Sequence, residues 1–451
     1  MPDGSRLSAA TSPTLRADPL ADATMARIFA TAGGDGVPAD EIALVNREIA
    51  TWTNNAVLTG WRAAADVPAP IAAALEDFVR EAHALPGWAD PARIASAERT
   101  FMDIGMLSCT LLFCASLPEC YVMPDLADVL HAAGQLEAHT DYRVRSTAAM
   151  IFPVMLRGGL CDATGAGLAQ VLKVRLIHAT IRHLVLRGSP EQALGAAAVP
   201  PLPAAGRGMH GVLHALGWDT AARGLPCNQQ ELAYTLLTFS YVFLRALRQL
   251  GLGLPPAQEE AYLHAWNVVG HVLGIERALM AGTMEEARSL FDRLQAEGDR
   301  QPRLPDPRPA LAAALLATME RNIPLPLLRS FPLQLTRYLC GKTAARALGL
   351  KRHSALPARL LFLACLGTIR AIDTVVRVAV PDFSLSRMFT RVLGYRLTAR
   401  MLMDQTRPLR LPDALLDQVG CTLHCWHTDP KAPGWLNRCE ARLAGRKPEG
   451  Q

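Results

Sequence analysis

Signals for β-strands are nearly absent from this chain, and that absence constrains its fold more than any other feature. The sequence contains no Asn-Gly hairpin turn and no sustained alternation of apolar and polar residues. Apolar residues recur instead at helical spacing, in long segments that end at Gly or Pro. Half of the 451 residues are hydrophobic, which is ample material for one large core. The sequence therefore predicts an all-α protein with a large single helical domain.

Composition and charge argue against several classes of function. The formal net charge is only +5 and the basic residues are scattered, so no nucleic-acid surface is expected. The longest apolar segments are 104–118, which is too short for a membrane span, and 356–381, which carries charges. We expect no spanning helix, although the second segment can rest on a membrane surface. The amino terminus has no apolar export signal, which predicts a cytoplasmic location.

The ten cysteines lie at irregular spacings, which predicts reduced thiols rather than a disulfide framework. The segment CTLHCWH, residues 421–427, can ligate zinc, but structural zinc sites usually use two separated ligand pairs. A terminal loop with incidental thiols is the alternative interpretation.

Local signals divide the chain into an arm, a helical body and a carboxyl-terminal third. Residues 1–38 are rich in Ala, Asp, Ser and Pro and are expected to form a flexible amino-terminal arm. The spacing predicts one helix over 38–65. It predicts another that begins after the capping residue Asn228 and stops at Gly251. A Pro-rich break at 300–309 precedes the last third, which is again helical.

One predicted helix places titratable side chains beside an apolar stripe. It contains the segment KVRLIHATIRH, residues 173–183, and is expected to end at Gly188. The stripe consists of Val174, Ile177, Ile181, Leu184 and Val185. His178 lies at the edge of this stripe, and Arg175 and Arg182 stand beside it, three residues before and four residues after.

His178 permits two interpretations. Haem needs one imidazole nitrogen for its iron, apolar walls for the macrocycle and cations for two propionates, and this helix offers all three. The other interpretation is a half-buried histidine beside a solvated basic edge. His183 points to a different side of the helix, so the spacing excludes a metal site made by the two histidines together.

Two further pairs are candidates for a site. His264 and His271 lie two helical turns apart on one face, and Gly270 leaves room for a flat ligand or for another helix. Arg143 and Thr147 also share a face, where they can bind an anion or polarise bound oxygen. Ordinary core packing for the first pair, and a surface location for the second, are the alternatives.

Seven segments occur in order between residues 40 and 350 and carry a family resemblance. They are LPGWADPARIASAERTFMDIG, SLPECYVMP, the R-x-x-x-T of Arg143–Thr147, KVRLIHATIRH, LPCNQQELAYTLLTFSYVFLRALRQLG, EEAYLHAWNVVGHVLGIERAL and RYLCGKTAARALGL. Together they resemble the latex clearing proteins, which are rubber oxygenases, and their relatives the MpaB-type oxygenases, the family of the domain of unknown function 2236.

The resemblance implies a globin-like helical core with haem b, which uses both atoms of O2 to cleave carbon–carbon double bonds of polyisoprene. It implies that His178 is the axial ligand of the iron and that Arg143 and Thr147 act at the reaction site. The candidate cofactor-binding residues are His178, Arg175, Arg182, His183, His264 and His271. The resemblance places the haem-binding domain at 39–350 and leaves 351–451 as a helical extension packed on it.

Three departures from the family pattern matter. The rubber-cleaving members have Lys just before the Thr, where this chain has Ser146. Their upstream Glu has no secure counterpart, because Asp128, His131 and Glu137 all lie in the right region. The rubber degraders also carry an export signal, so a small intracellular isoprenoid or apolar alkene is the expected substrate.

The predicted function is therefore a haem-dependent oxygenase that acts with O2 on a hydrophobic alkene or isoprenoid. A haem peroxidase or monooxygenase is one alternative. A helical protein that binds haem or lipid without turnover is a second, and a structural helical protein without a cofactor is a third.

Overall fold

The computed structural model describes residues 12–350 apart from 34–35, 135–139, 204–207, 299–304, 322 and 324–328, together with scattered positions between 360 and 371 and the helix 434–444. Within this part of the chain every regular element is a helix. The β pairing found there is one isolated bridge between Val199 and Trp218. The prediction of an all-α fold is confirmed.

The α-helices are numbered here in chain order. They are α1 (Pro19–Phe29), α2 (Ala39–Ala50), α3 (Asn55–Leu58), α4 (Ala69–Ala82), α5 (Pro91–Ile104), α6 (Met106–Leu111), α7 (Leu117–Cys120), α8 (Pro124–Gly134), α9 (Thr140–Met155), α10 (Gly167–Leu186), α11 (Pro190–Ala193), α12 (Met209–Ala215), α13 (Thr220–Arg223), α14 (Gln229–Phe239), α15 (Tyr241–Gln249), α16 (Pro256–Val272), α17 (Met284–Gly298), α18 (Arg308–Arg321), α19 (Phe331–Ala347) and α20 (Gly434–Ala444). A π-helix, Leu112–Ser116, joins α6 to α7, and short 3-10 helices span Pro13–Leu15 and Arg277–Leu279.

Helix α10 lies at the centre of the packing. It contacts α9, α1, α12 and α16. Its residues Leu172 and Ala179 are completely buried, as is Val171. Because several helices surround α10, the side chains it carries are held by contacts from more than one direction.

The amino-terminal segment is part of this core, which corrects the prediction of a flexible arm over 1–38. Helix α1 starts at Pro19 behind the capping residue Asp18, whose carboxylate accepts a hydrogen bond from the amide of Ala21. Ala21, Met25 and Ile28 have no exposed surface. Their i, i+4, i+7 spacing is that of a buried helical face. The prediction of an arm relied instead on the surrounding Ala, Asp and Pro residues, which are typical of flexible segments. Residues 1–11 and 34–35 lie outside the described part.

The predicted helix over 38–65 is interrupted. Helix α2 ends at Ala50, and Asn54 caps a new short helix by accepting a hydrogen bond from the amide of Val57. The amide group of Asn55 donates to the carbonyl oxygens of Gly159 and Asp162, so this break anchors the turn that precedes α10. The polar pair Asn54–Asn55 therefore ends one element and positions another.

The predicted helix after Asn228 begins where expected, because the side chain of Asn228 accepts from the amide of Glu231. It divides at Ser240, whose ψ of −76° departs from helical geometry, into α14 and α15. The second part ends at Gln249, and Gly251 adopts a φ of 75° in the turn that follows.

Among the described helices, none alone combines the length and the hydropathy of a membrane span. The pair Pro91–Ile104 and Leu107–Cys120, bent by 92°, meets both criteria when the two are taken together.

Candidate functional site

The carboxyl end of α10 differs slightly from the prediction of a stop at Gly188. Arg187 takes the left-handed conformation, with φ 53°, and Gly188 follows it with an amide that donates to the carbonyl oxygen of His183. The guanidinium of Arg187 donates to the carbonyl oxygens of His214 and Pro200, at 2.8 and 2.7 Å. These two hydrogen bonds hold a non-glycine residue in a conformation that usually favours glycine.

The apolar stripe of α10 is only partly covered by described residues. Ile177 is 44% exposed, and Val174 and Ile181 are half-buried. The opposite side of the helix is closed, because Leu172 and Leu176 are buried in the core. Leu184 and Val185, the other two residues of the stripe, are buried in the core, so only the part around Ile177 is an apolar surface that a macrocycle can contact.

His178 stands at the edge of that surface with an uncommitted nitrogen. Its Nδ1 is buried and has no hydrogen-bond partner in the described part of the structure. Burial, together with the nearby guanidinium of Arg182, lowers the pKa of His178 to about 4. The ring is therefore neutral near pH 7, which is the form that binds a metal. A buried polar atom without a partner calls for an explanation, and an absent ligand provides one.

His183 fits the simpler interpretation of a core histidine. Its Nε2 lies 3.2 Å from the carbonyl oxygen of Asp22, and its ring packs edge-on against Phe29. Burial lowers the pKa of His183 to about 4. Since this ring already has a polar partner, nothing in its contacts supports the prediction that it binds a cofactor.

Arg175 is engaged by α1 rather than by a ligand. Its Nε and Nη2 donate to the two carboxylate oxygens of Asp18 at 2.5 and 2.7 Å, and its Nη1 donates to the carbonyl oxygen of Val272 at 3.0 Å. The ion pair is bidentate and buried, a geometry that fixes both partners.

Arg182 makes the second contact of the same kind. Its Nε donates to the Asp22 carboxylate at 2.8 Å, and its Nη1 donates to the carbonyl oxygen of Cys227 at 2.9 Å. Burial raises the pKa of Asp22 to about 6, although Arg182 acts in the opposite direction. Both guanidinium groups face carboxylates of the α1 segment, and that they bind haem propionates stays a prediction.

Asp18 and Asp22 were missed as site residues. They are four residues apart, so both lie on one face of the α1 segment, and their partners on α10 are seven residues apart on one face. The sequence did contain a pattern that indicates them: two acidic residues at i and i+4, next to apolar residues at helical spacing, Ala21, Met25 and Ile28. This pattern is informative only if residues 19–29 are first predicted to be a helix.

Arg143 and Thr147 lie on α9, which packs along α10. Their spacing of four residues places both on one face of that helix, as predicted. The side chain of Arg143 is outside the described part of the structure. Thr147 is half-buried and borders a small cavity between α9 and the π-helix, about 20 Å³ in volume.

His264 and His271 share a face of α16, as predicted, and Trp88 covers that face. The Trp88 ring packs edge-on against both imidazoles, at centroid distances of 5.7 and 5.8 Å. The Nε2 of His264 also accepts a hydrogen bond from the amide of Asp90. These contacts attach the start of α5 to α16, and a haem-binding role for the two histidines has no support in them.

Gly270 serves helix packing rather than a flat ligand. A Cβ at this position would lie 2.7 Å from a methyl carbon of Leu236 on α14 and 3.2 Å from the terminal methyl of Met280. Glycine therefore permits the close approach of α14 to α16.

The family's upstream acid is not identified among the three candidates. Asp128 accepts from the guanidinium of Arg223 at 2.5 Å, beside Asp125 at 2.7 Å, in an ion pair that joins α8 to α13. His131 is exposed, and Glu137 lies outside the described residues. None of the three is shown at a reaction site.

No group of three or more His, Cys, Asp or Glu side chains suited to a metal ion occurs among the residues described. A haem iron does not need such a group, since the porphyrin supplies four nitrogens and one imidazole completes the attachment. His178 meets that requirement, with a neutral ring, a buried nitrogen without a partner and an adjacent apolar surface. The residues 421–427 considered for zinc lie outside the described part.

Comparison with known proteins gives a consistent result. A family model described as the catalytic domain of the ER-bound oxygenase mpaB/B′ and rubber oxygenase matches residues 98–371. The rubber oxygenase of Streptomyces sp. (strain K30) is 22% identical over 326 residues, which cover 70% of this chain and 68% of that protein. A solved structure of a latex clearing protein, LCP, in the closed state superposes with a TM-score of 0.59 at 18% identity, covering 92% of this chain and 91% of the other. The two structures share their fold, and the described part of this chain is helical.

Proposed function

The chain belongs to the family of mpaB-type and rubber oxygenases, and we propose that it is a haem b-dependent oxygenase that uses O2 to oxidise an apolar alkene of the isoprenoid class. The observation that carries the proposal is His178, a neutral imidazole whose buried Nδ1 has no hydrogen-bond partner among the described residues. The rubber oxygenase and latex clearing protein that resemble this chain point to a polyisoprene-like substrate.

Haem b bound at His178 supplies the iron centre at which O2 is activated. The protein's own residues then have three tasks. His178 would hold the iron through a ring nitrogen, and burial, together with the nearby guanidinium of Arg182, lowers its pKa and keeps the ring unprotonated. Val174, Ile177 and Ile181 would provide the apolar surface against which haem lies, and once covered this surface would exclude water from the ring.

Thr147 and Arg143 are assigned to the reaction site from their positions on α9, not from observed contacts. Thr147 borders an apolar cavity on α9, and Arg143 precedes it by one turn. The Thr147 hydroxyl beside this cavity can donate a hydrogen bond to a polar group that forms during the reaction, and the Arg143 guanidinium is assigned the same role from its position on the same face of α9.

A visible absorption spectrum of the purified protein tests the cofactor. We expect a Soret band in the wild type and its loss in His178→Gly, with recovery when imidazole is added, because free imidazole can occupy the space of the missing ring. His183→Gln is the matched control, since this neighbouring ring is bound to a backbone carbonyl, and it should retain the band. Equal haem content in wild type, His178→Gly and His183→Gln would contradict the assignment.

Oxygen consumption tests the reaction class. With squalene or short polyisoprene as substrate, we expect consumption of O2 and carbonyl products without added peroxide. Turnover that requires hydrogen peroxide indicates a peroxidase instead. A normal haem spectrum without turnover on any apolar alkene indicates a carrier.

A further inference from the structure

A small apolar cavity separates α9 from the π-helix. Leu112 and Phe113 of the π-helix form one wall, and Ala148 and Ile151 of α9 form the other. These four residues are all buried, between 1% and 9% exposed. Thr147 stands at the border of the cavity and is half-buried. The volume of about 20 Å³ leaves space for one molecule of the size of water or O2.

The local backbone explains why this space is not filled. A π-helix inserts an extra residue into a helical turn and shifts the side chains that follow it out of regular register. Facing it, α9 presents the small side chain of Ala148 one turn before Ile151. Two helices with matched registers would interdigitate here, whereas this pair leaves a void between them.

We propose that this cavity is a docking site for O2 beside the reaction centre. The chemistry of the lining favours that occupant, because the walls are hydrocarbon apart from the Cys109 thiol and the Thr147 hydroxyl. Small apolar cavities in proteins stay dry and take up apolar molecules such as xenon. O2 is equally apolar and small, and an oxygenase consumes it.

The position supports the same assignment, and this step rests on the proposed function. Thr147 borders the cavity and belongs to α9, which packs against the helix that carries His178. An O2 molecule held beside Thr147 is therefore concentrated at the side of α9 where the reaction is proposed to occur. The cavity raises the local supply of O2 and leaves alkene binding to other residues.

Xenon binding tests the cavity without any use of haem. Crystals of the wild type under xenon pressure should show a xenon atom between Leu112 and Ala148, and Ala148→Leu should abolish it because the added side chain fills the space. An ordered water at this position, or no xenon in the wild type, overturns the proposal.

Oxygen kinetics test the role. In Ala148→Leu the KM for O2 should increase several-fold, while kcat at saturating O2, the KM for the alkene and the visible spectrum stay close to wild type. Leu112→Ala enlarges the cavity and should lower the KM for O2 or leave it no higher. If Ala148→Leu does not fold, Ala148→Val makes the same test with a smaller addition.

The outcomes separate the two proposals. A colourless protein that still binds xenon contradicts the proposed function and thereby removes the role assigned to the cavity. A normal Soret band with an unchanged KM for O2 in the filled variant contradicts the docking site alone.

Discussion

Two adjacent strips of α10 differ in how their polar side chains are paired. One strip carries Arg175 and Arg182, and each guanidinium is met by a carboxylate of the α1 segment. The next strip, called the open strip here, carries the apolar surface around Ile177, which is 44% exposed in the part of the chain that the structure describes. His178 stands between the two strips, and its Nδ1 has no described partner.

The difference lies in charge compensation: both guanidinium groups meet a carboxylate, although Nη2 of Arg182, like Nδ1 of His178, is buried without a hydrogen-bond partner among the described residues. A buried charge is costly unless a partner compensates it, and the fold has supplied that partner on the arginine strip. On the histidine side, Nδ1 of His178 has no partner among the described residues, and Ile177 is 44% exposed. The same helix is thus held firmly along one strip and left available along the other.

The largest effect on stability is expected when one of the two buried ion pairs of the arginine strip is broken. Arg182→Ala leaves the buried carboxylate of Asp22 without its partner and should cost about 3–5 kcal/mol of stability. The matched control is the double variant Asp22→Leu with Arg182→Met, which removes both charges and should recover most of the loss. Denaturant midpoints measure both. A single variant as stable as the double one would show that the pair does not hold α10.

The pH dependence of stability tests whether His183 is a neutral core histidine. Burial lowers the pKa of His183 from 6.5 to about 4, so the unfolded chain binds more protons between these values. The contribution of His183 is therefore present above pH 6.5 and is lost as the pH falls toward 4, by up to about 3 kcal/mol.

His183→Gln isolates this contribution, because the amide does not titrate. The difference in unfolding free energy between wild type and His183→Gln should change over the window from pH 6.5 to 4 and stay flat above it. A difference that is constant from pH 7.5 to 4 would mean that the folded and unfolded pKa values are the same.

The smallest effect on stability is expected on the open strip. Ile177→Ser changes a side chain that is 44% exposed and should alter stability by only about 0.5 kcal/mol. Val171→Ser, on the buried side of the same helix, is the matched control and should cost several times more. If the open strip contacts haem, Ile177→Ser also releases haem faster to apomyoglobin. Equal destabilisation by the two variants would remove the distinction between the strips.

The sequence was most informative where contacts are local. The capping role of Asn228, the edge position of His178 and the shared face of His264 and His271 follow from spacing along single helices. The breaks at Asn54 and Ser240 were less visible, because helical apolar spacing continues on both sides of each.

The chain's own residue order determined that it folds as helices and which face of α10 carries the histidine, since a helix repeats every few residues and its faces can be read from that period. Only the tertiary structure decided that Arg175 and Arg182 serve the fold, and that Trp88 covers the histidines of α16. Asp18 lies 157 positions from Arg175, and Asp22 lies 160 from Arg182. Which residues pair at such separations depends on how the helices pack, and this cannot be predicted from a local sequence pattern.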